Sequence, residues 1–398
     1  MIQRIIAKIR PRLNRTPSGG PLILQIDGLR FVAISAVLLV HMIAYSFNQR
    51  GVSIVDLTDC RLRHYYEGFA RGVELFFVIS GFVIAAPFVR HYRMNGPAVD
   101  ICEFYRRRLA RLEPPFILAM LITYAALVLV HGAPAKALLA HLLATCTYSH
   151  GLIYHSKSTI AFISWSLEIE IQFYLLAPIL LKLLSFQTMV VRSSLLLLAG
   201  LSLLLDRWLA ATPALSRVTF FHYLPLFIAG ILVSDAGIPG GCWPTGRHRA
   251  WDLLGACVFA TAFCIPRSWT ACALPFLLGL FVVCGFRGPL LSRLLSSAWF
   301  TCIGGMCYSI YLVHEPLIYF FGRFTSKVMI SHSIGLYAPT QAFLLGMPVL
   351  GCSAVYFLLI EKPCMNRYWP HDLLLYLTKW LRAAKERLAQ ASAEVSAP

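Results

Sequence analysis

Ten long apolar runs constrain this chain more than any other feature of its sequence. Each is close in length to the roughly 20 apolar residues that cross a hydrocarbon core as a helix. The runs are 29–47, 72–89, 114–130, 165–184, 193–209, 219–233, 251–266, 271–286, 300–321 and 339–360. Only 13% of the residues are charged, about half the share in a soluble domain. The sequence therefore predicts an all-α polytopic membrane protein in which nearly the whole chain belongs to the membrane.

The distribution of lysine and arginine predicts how these spans are oriented. With ten spans and a cytoplasmic N-terminus, 24 of the 35 Lys and Arg residues fall in cytoplasmic segments, as the excess of positive charge on that side requires. An eleventh apolar run, Ala135–Cys146, is short, and counting it as a span would move the basic C-terminal tail outside. We therefore predict about ten transmembrane helices, one short interfacial or re-entrant helix, and both termini in the cytoplasm.

The chain divides by composition into three segments. Residues 1–23 form a basic cytoplasmic N-terminal segment, 24–368 the transmembrane domain, and 369–398 an amphipathic cytoplasmic tail that we expect to lie on the membrane. The net charge of +17 reports topology in such a protein, not nucleic-acid binding. The lipid bilayer of the cell inner membrane is the expected surrounding, and the twelve cysteines show no spacing typical of a metal site.

The first apolar run carries two ionisable side chains, Arg30 near its start and His41 inside it. They are eleven residues apart, about three turns of helix, so both point to the same face. The rise between them is about 16 Å, roughly half of a hydrocarbon core of about 30 Å. One helix face therefore presents a cation near the inner surface and an imidazole near mid-membrane. An interfacial arginine below a structural histidine is the simpler alternative.

A cluster of arginines precedes the third apolar run, in the sequence FYRRRLARLEPP. Arg107 and Arg111 are four residues apart and share a helix face next to the membrane surface, with Arg108 beside them. Arginine forks bind phosphoryl oxygens bidentately, so the cluster is a candidate phosphate site. Ordinary positive-inside anchoring is the alternative explanation.

Two further spans carry ionisable groups at a depth similar to that of His41. Glu170 lies about 8 Å below the outer boundary of the fourth run, and His314 about 21 Å along the ninth run from the inside. Three such groups at one depth indicate a shared polar cavity, although each taken alone could be an interhelical hydrogen bond. Tyr308 and Tyr311 flank His314 on the same helix, and either phenol could orient a histidine.

These groups suit a particular chemistry. A neutral imidazole can take the proton of a hydroxyl as the oxygen attacks a carbonyl, and a carboxylate on its other nitrogen would fix its tautomer. The arginines suit a donor that carries phosphates and threads its reactive end into the membrane. The pattern points to acyl transfer from an acyl-CoA to a hydroxyl. A transporter or channel is the rival reading, since intramembrane His and Glu also build proton relays, although no inverted repeat is visible. A regulatory protein that keeps a dead enzyme fold is the third.

Six motifs in order along the chain resemble those of the acyltransferase-3 family of integral-membrane acyltransferases, which O-acylate sugars, polysaccharides and some small molecules. They are IDGLR with the spacing from Arg30 to His41, GVELFFVISGF, RRRLARLEP, WSLEIEIQFY, YSIYLVHEP and the sequence Glu361-Lys362-Pro363. The departures are small. Glu74 stands where an aspartate is common, Cys307 where serine is frequent, and Ile171 where a second acid is often found.

The resemblance implies a membrane-bound O-acyltransferase domain over residues 24–368 that uses acyl-CoA, with acetyl-CoA the expected donor, and no metal. It implies that His41 is essential, here as general base, and that Arg30 and the arginine cluster bind the donor. By depth we add Glu170, His314 and Tyr308 to the catalytic candidates. The resemblance does not fix the acceptor, because the family's acceptors vary widely; we expect a carbohydrate or another small compound with a hydroxyl.

Overall fold

Helices make up the fold, as the sequence predicts. The computed structural model describes residues 22–49, 66–210, 220–237, 246–265, 272–328 and 334–366, with isolated positions at 13, 15, 51, 369 and 378. No strand occurs within these ranges. The amphipathic tail predicted for 369–398 and most of the basic segment 1–23 lie outside the described residues.

Fifteen α-helices follow one another in the described part of the chain. The first eight are α1 (Leu24–Asn48), α2 (Gly72–Met94), α3 (Ile101–Leu129), α4 (Ala135–Cys146), α5 (His150–Tyr154), α6 (Ser164–Leu181), α7 (Thr188–Ala210) and α8 (Phe220–Ala236). The others are α9 (Arg249–Cys264), α10 (Leu274–Arg287), α11 (Pro289–Leu295), α12 (Ala298–Gly305), α13 (Cys307–Thr325), α14 (Ile334–Tyr356) and α15 (Lys362–Cys364). A 3-10 turn, Lys182–Ser185, follows α6, and a π-helical turn, Phe357–Glu361, joins α14 to α15.

Five of the described helices are long and apolar enough to cross a membrane, and six if the pair α10 and α11, bent by 93°, counts as one span. The five are Leu24–Asn48, Tyr66–Met94, Ile101–Leu129, Thr188–Trp208 and Pro339–Cys364. A membrane protein of several helical spans is therefore supported. The count of ten spans and the cytoplasmic location of both termini stay predictions.

Helices α2 and α8 cross so closely that their backbones touch, and each helix has a glycine at the crossing point. A Cβ atom on Gly81 would lie 2.1 Å from the carbonyl oxygen of Phe227, and one on Gly230 would lie 2.1 Å from the carbonyl oxygen of Val78. Small residues permit this approach in membranes, where close packing drives helix association. The contact fixes α2, which forms one wall of the cavity described below.

We expect Gly230→Ala to destabilise the protein by about 1–3 kcal/mol, the usual cost of overpacking, because the backbone at Val78 must move. Thermal unfolding in detergent should show a lower midpoint. Gly200→Ala in α7 is the matched control, since nothing lies within 4 Å of a Cβ atom there. Equal midpoints for the two variants would contradict the packing explanation.

The ninth predicted span, 300–321, is not one continuous helix but breaks at Met306 between α12 and α13. Helix α12 packs so closely on α1 that a Cβ atom on Gly304 would overlap the carbonyl of Asp27. The break leaves the first N–H groups of α13 without partners in the helix. Glu361 supplies one, because its carboxylate accepts from the Ser309 backbone N–H at 3.0 Å and from the Ser309 hydroxyl at 2.6 Å.

The short helix predicted at Ala135–Cys146 forms as α4 and runs back along α3. The Tyr124 hydroxyl donates to the carbonyl of Ala135 at 3.0 Å, and the ring of Tyr148, just past α4, stacks on Phe116 with centroids 4.8 Å apart. The chain then turns back through α5. We call residues 135–154 the α4–α5 hairpin; its interfacial or re-entrant position stays a prediction.

Candidate active site

His41 of α1 and His314 of α13 lie in direct contact. The Nδ1 atom of His41 is 3.2 Å from the Nε2 atom of His314. On its other side, Nδ1 of His314 faces two backbone carbonyls, 2.7 Å from the oxygen of Tyr311 and 3.1 Å from that of Ile310. His314 is completely buried, whereas His41 is partly exposed. The two histidines that were placed at similar depth from the sequence therefore form one pair.

The hydrogen bonds of this pair determine which nitrogens carry protons. Carbonyl oxygens only accept hydrogen bonds, so Nδ1 of His314 carries its proton and, in the neutral ring, Nε2 has a lone pair. His41 must then donate from Nδ1 to that lone pair. Neutral His41 consequently keeps an unprotonated Nε2 that can accept a proton.

Neither tyrosine of α13 orients a histidine through its phenol, contrary to the sequence-based expectation. The Tyr308 hydroxyl donates to the carbonyl of Leu112 at 2.8 Å. The Tyr311 hydroxyl donates to the carbonyl of Ile163 at 2.7 Å and lies 2.6 Å from the Ser166 hydroxyl. The group that orients His314 is the backbone carbonyl of Tyr311. This carbonyl lies in the preceding turn of the same helix, within reach of the imidazole, whereas both phenols point to other helices.

One cavity of about 950 Å³ contains all four arginines that the sequence singles out. Its lining from α2 extends between Val73 and Met94, about 32 Å of helix. Asp100 and Glu170 are the acidic groups in the lining. The arginines that line it are Arg15, Arg30, Arg90, Arg107, Arg108 and Arg111. The cavity therefore carries an excess of positive charge.

Arg30 is held by a buried carboxylate that precedes it by one helical turn. Asp27 is 1% exposed and accepts from Arg30 at 2.8 Å and from Arg15 at 3.2 Å. Burial and the neighbouring Arg30 lower the pKa of the Arg15 guanidinium to about 10, so it stays charged at neutral pH. One carboxylate thus serves two guanidinium groups and leaves a net positive charge at this end of the cavity.

The arginine cluster lies on the first turns of α3, not in a loop, because α3 begins at Ile101, earlier than the predicted span. Arg107 pairs with Glu103 at 2.8 Å, and Arg111 reaches Glu361 at 3.5 Å. The Arg108 guanidinium lies 3.6 Å above the ring of Phe104. The helix thereby turns all three cations of the cluster toward one cavity.

Glu170 lies in this cavity and does not contact either imidazole. Its carboxylate accepts from the hydroxyl of Ser80 and, at 2.5 Å, from the phenol of Tyr174. The expectation that a carboxylate would bond to the second nitrogen of the histidine base is therefore wrong, since His314 occupies that position. Spacing along the span does not give the face to which Glu170 points, because that face is set by the rotation of α6 against α2.

One protein-family description covers almost the whole chain. The acyltransferase-3 model, described as an acyltransferase domain, matches residues 23–360. The chain belongs to the acyltransferase-3 family. The transporter or channel that the sequence left open as a rival is not supported by this match.

Individual relatives are similar to this protein over part of its chain. The O-acetyltransferase OatA of Staphylococcus aureus (strain NCTC 8325 / PS 47) is 28% identical over 168 residues, which are 40% of this chain and 24% of OatA. The putative O-acetyltransferase SACOL0978 of Staphylococcus aureus (strain COL) is 26% identical over 165 residues, 39% and 24% of the two chains. The matched part is thus about a quarter of each relative's length. No solved structure matches.

Two residues of the candidate site were missed as site residues by sequence reasoning. Asp27 stands three residues before Arg30, a spacing that on a helix pairs a carboxylate with a cation, so a signal was present in IDGLR. Glu361 was noted for its motif alone, and nothing in the sequence indicated that it would meet both Arg111 and Ser309. Such contacts between distant helices leave no local pattern.

Proposed function

We propose that this protein is an O-acyltransferase of the cell inner membrane that transfers an acyl group, with acetyl the expected one, from acyl-CoA to a hydroxyl. The acceptor class proposed is a carbohydrate or another small molecule with hydroxyl groups. The observation that carries the proposal is the unprotonated Nε2 of His41, prepared by His314 and the carbonyl of Tyr311. A base in this state is what an attacking hydroxyl requires.

The arginine cavity is the proposed donor site. Its volume of about 950 Å³ is at the upper end of the roughly 300–1,000 Å³ range of ligand sites. Guanidinium groups at Arg30, Arg107 and Arg111 suit the phosphates of CoA, because their planar forks bind phosphoryl oxygens in pairs. Tyr311 and Ser166 also line the cavity, and the carbonyl of Tyr311 holds His314. A thioester lying along the cavity would thus point toward the histidine pair.

The proposed reaction balances in one displacement. The acceptor oxygen attacks the carbonyl carbon of the thioester while its proton moves to Nε2 of His41. The C–S bond then breaks, the electron pair leaves with the sulfur of CoA, and that thiolate takes the proton from Nε2 of His41, which restores the neutral base. His314 stabilises the His41 imidazolium, since it accepts the Nδ1–H throughout.

Glu170 and Tyr308 have a different part in this proposal from the one their depth predicted. Both line the donor cavity and both are fixed by hydrogen bonds, Glu170 to Tyr174 and Tyr308 to the carbonyl of Leu112. Neither reaches an imidazole. We therefore propose that Glu170 and Tyr308 shape the donor site. Proton transfer is assigned to the histidine pair alone.

Arg106 and Arg107 offer a matched test of donor binding. Both pair with Glu103, and their side chains are 52% and 45% exposed, but of the two Arg107 lines the cavity. Arg107→Ala should raise the KM for acyl-CoA about fivefold, or about 1 kcal/mol, with turnover little changed because phosphate contacts are equal in ground and transition states. The effect should weaken at high salt.

Arg106→Ala is the control for that experiment and should leave the KM near the wild-type value. Steady-state kinetics with purified protein at two ionic strengths provide the measurement. Equal KM values for the two variants would mean that the cluster only anchors the chain in the membrane.

The activity itself is tested with radiolabelled acetyl-CoA. Purified protein in lipid nanodiscs should release CoA and transfer label to membranes of a strain that lacks the gene. Mass spectrometry of surface glycans and secreted metabolites, with and without the gene, identifies the product. No transfer and no difference in O-acetyl content would refute the proposed function.

A further inference from the structure

The α4–α5 hairpin contains a second histidine pair that the proposed reaction does not use. Nδ1 of His141 lies 3.0 Å from Nε2 of His150, and Nδ1 of His150 lies 3.1 Å from the carbonyl oxygen of Ser156. The arrangement repeats that of the first pair, with a buried histidine fixed by a carbonyl and a partly exposed one in front of it. By the same argument His141 keeps an unprotonated Nε2.

Buried polar groups hold this second pair in place. The Glu168 carboxylate, 5% exposed, accepts from the backbone N–H of Gly151 at 3.0 Å and of Leu152 at 3.3 Å, so it fixes the start of α5 to α6. The hydroxyls of Thr145 and Ser158 are 2.6 Å apart and join α4 to the returning chain. A carboxylate is costly to bury unless it is fully bonded. The hairpin therefore holds its side chains in one arrangement.

The open side of this pair is aromatic. The ring of Tyr154 lies 4.3 Å from that of His141 and 4.7 Å from that of His150, between centroids. Tyr154 is 37% exposed. A ligand at His141 would thus meet one hydrogen-bond acceptor and one aromatic face. A sugar ring suits this combination, because the hydroxyls on its edge can donate to the acceptor and the C–H bonds on its face can pack on the aromatic ring.

The chain just past the pair connects it to the base. Lys157 follows Ser156 and packs on Trp165; the next residue, Ser166, has its hydroxyl 2.6 Å from the phenol of Tyr311 on α13, the helix that carries His314. The ammonium lies 4.1 Å above the ring of Phe162 and 5.2 Å from that of Trp165. No carboxylate among the described residues forms an ion pair with it. Lys157 is therefore available to donate to a bound molecule on this side of α6.

We propose that His141, Tyr154 and Lys157 form the binding subsite for the acceptor, a carbohydrate, and we call them the hairpin subsite. One sugar hydroxyl donates to Nε2 of His141, a neighbouring oxygen accepts from Lys157, and Tyr154 packs against the ring. This inference rests on the proposed function, since it supplies the acceptor to the His41 base. The hairpin packs on the end of α3 opposite the arginines, so the acceptor subsite and the donor site lie apart.

The test separates acceptor binding from donor binding. Full-length protein in nanodiscs is given radiolabelled acetyl-CoA and increasing amounts of membranes from a strain lacking the gene. His141→Ala and Lys157→Ala should each raise the half-saturating amount of membranes about tenfold, as loss of one well-placed hydrogen bond does. The Kd for CoA should stay at the wild-type value. Lys136→Ala, an exposed lysine at the start of the same hairpin, is the control and should change neither quantity.

Each other outcome decides the question. If both variants need the same half-saturating amount of membranes as the wild-type protein, the proposed subsite is wrong and the proposal for His41 is unaffected. If the variants lose affinity for CoA as well as transfer, the proposed subsite is also wrong, because a residue that contacts only the acceptor is not needed to bind CoA. If His141→Ala fails to fold, His141→Gln and Lys157→Ala give the same comparison. Absence of transfer by the wild-type protein refutes the proposed function, and the subsite falls with it.

Discussion

Replacing His41 with alanine is expected to lower acyl transfer by about 10²–10⁴-fold, the range of a positioned general base. The imidazole is the group whose free Nε2 the structure prepares through His314. Affinity for CoA should be unchanged, because the arginines of the donor cavity are left in place. Turnover of radiolabelled acetyl-CoA and the Kd for CoA are the two measurements.

A second histidine serves as the control for His41→Ala. His155 is exposed and has a positive φ of 50°, which asparagine tolerates. His155→Asn should therefore keep normal turnover and a normal elution profile on gel filtration. His41→Ala with near-normal turnover would remove His41 as the base and make His314 the leading candidate.

Replacing His314 with leucine is expected to lower turnover by about 10²-fold or more, although His314 is not proposed to touch substrate. Without Nε2 of His314, nothing fixes the proton of His41 on Nδ1, and the imidazolium formed during transfer loses its partner. The KM for acyl-CoA should stay constant, because the change acts on the transition state.

The conservative variant distinguishes this role from a structural one. His314→Gln offers an amide oxygen that can accept from Nδ1 of His41, so it should recover part of the activity that His314→Leu loses. If both variants unfold alike in a thermal scan and differ little in turnover, the pair stabilises the fold and does not tune the base.

Several features of this protein follow from the sequence alone. The apolar runs require a helical membrane fold, because a backbone in lipid must satisfy its own hydrogen bonds. The spacing of Arg30 and His41 puts them on one helix face, and the order of six short motifs indicates the family that the match over residues 23–360 then establishes. Similar depth also brought His41 and His314 together correctly.

Which side chains meet was decided by the tertiary structure. Sequence spacing gives a residue's height and face relative to its own helix axis, but the rotation of each helix against its neighbours is set by packing. Rotation sends Glu170 to Ser80 and Tyr174 instead of to an imidazole. Likewise, the break at Met306 and the fold of the α4–α5 hairpin depend on contacts between residues far apart in the chain, such as Glu361 with Ser309 and Glu168 with Gly151. Those contacts, which no local pattern encodes, place the base and the second histidine pair.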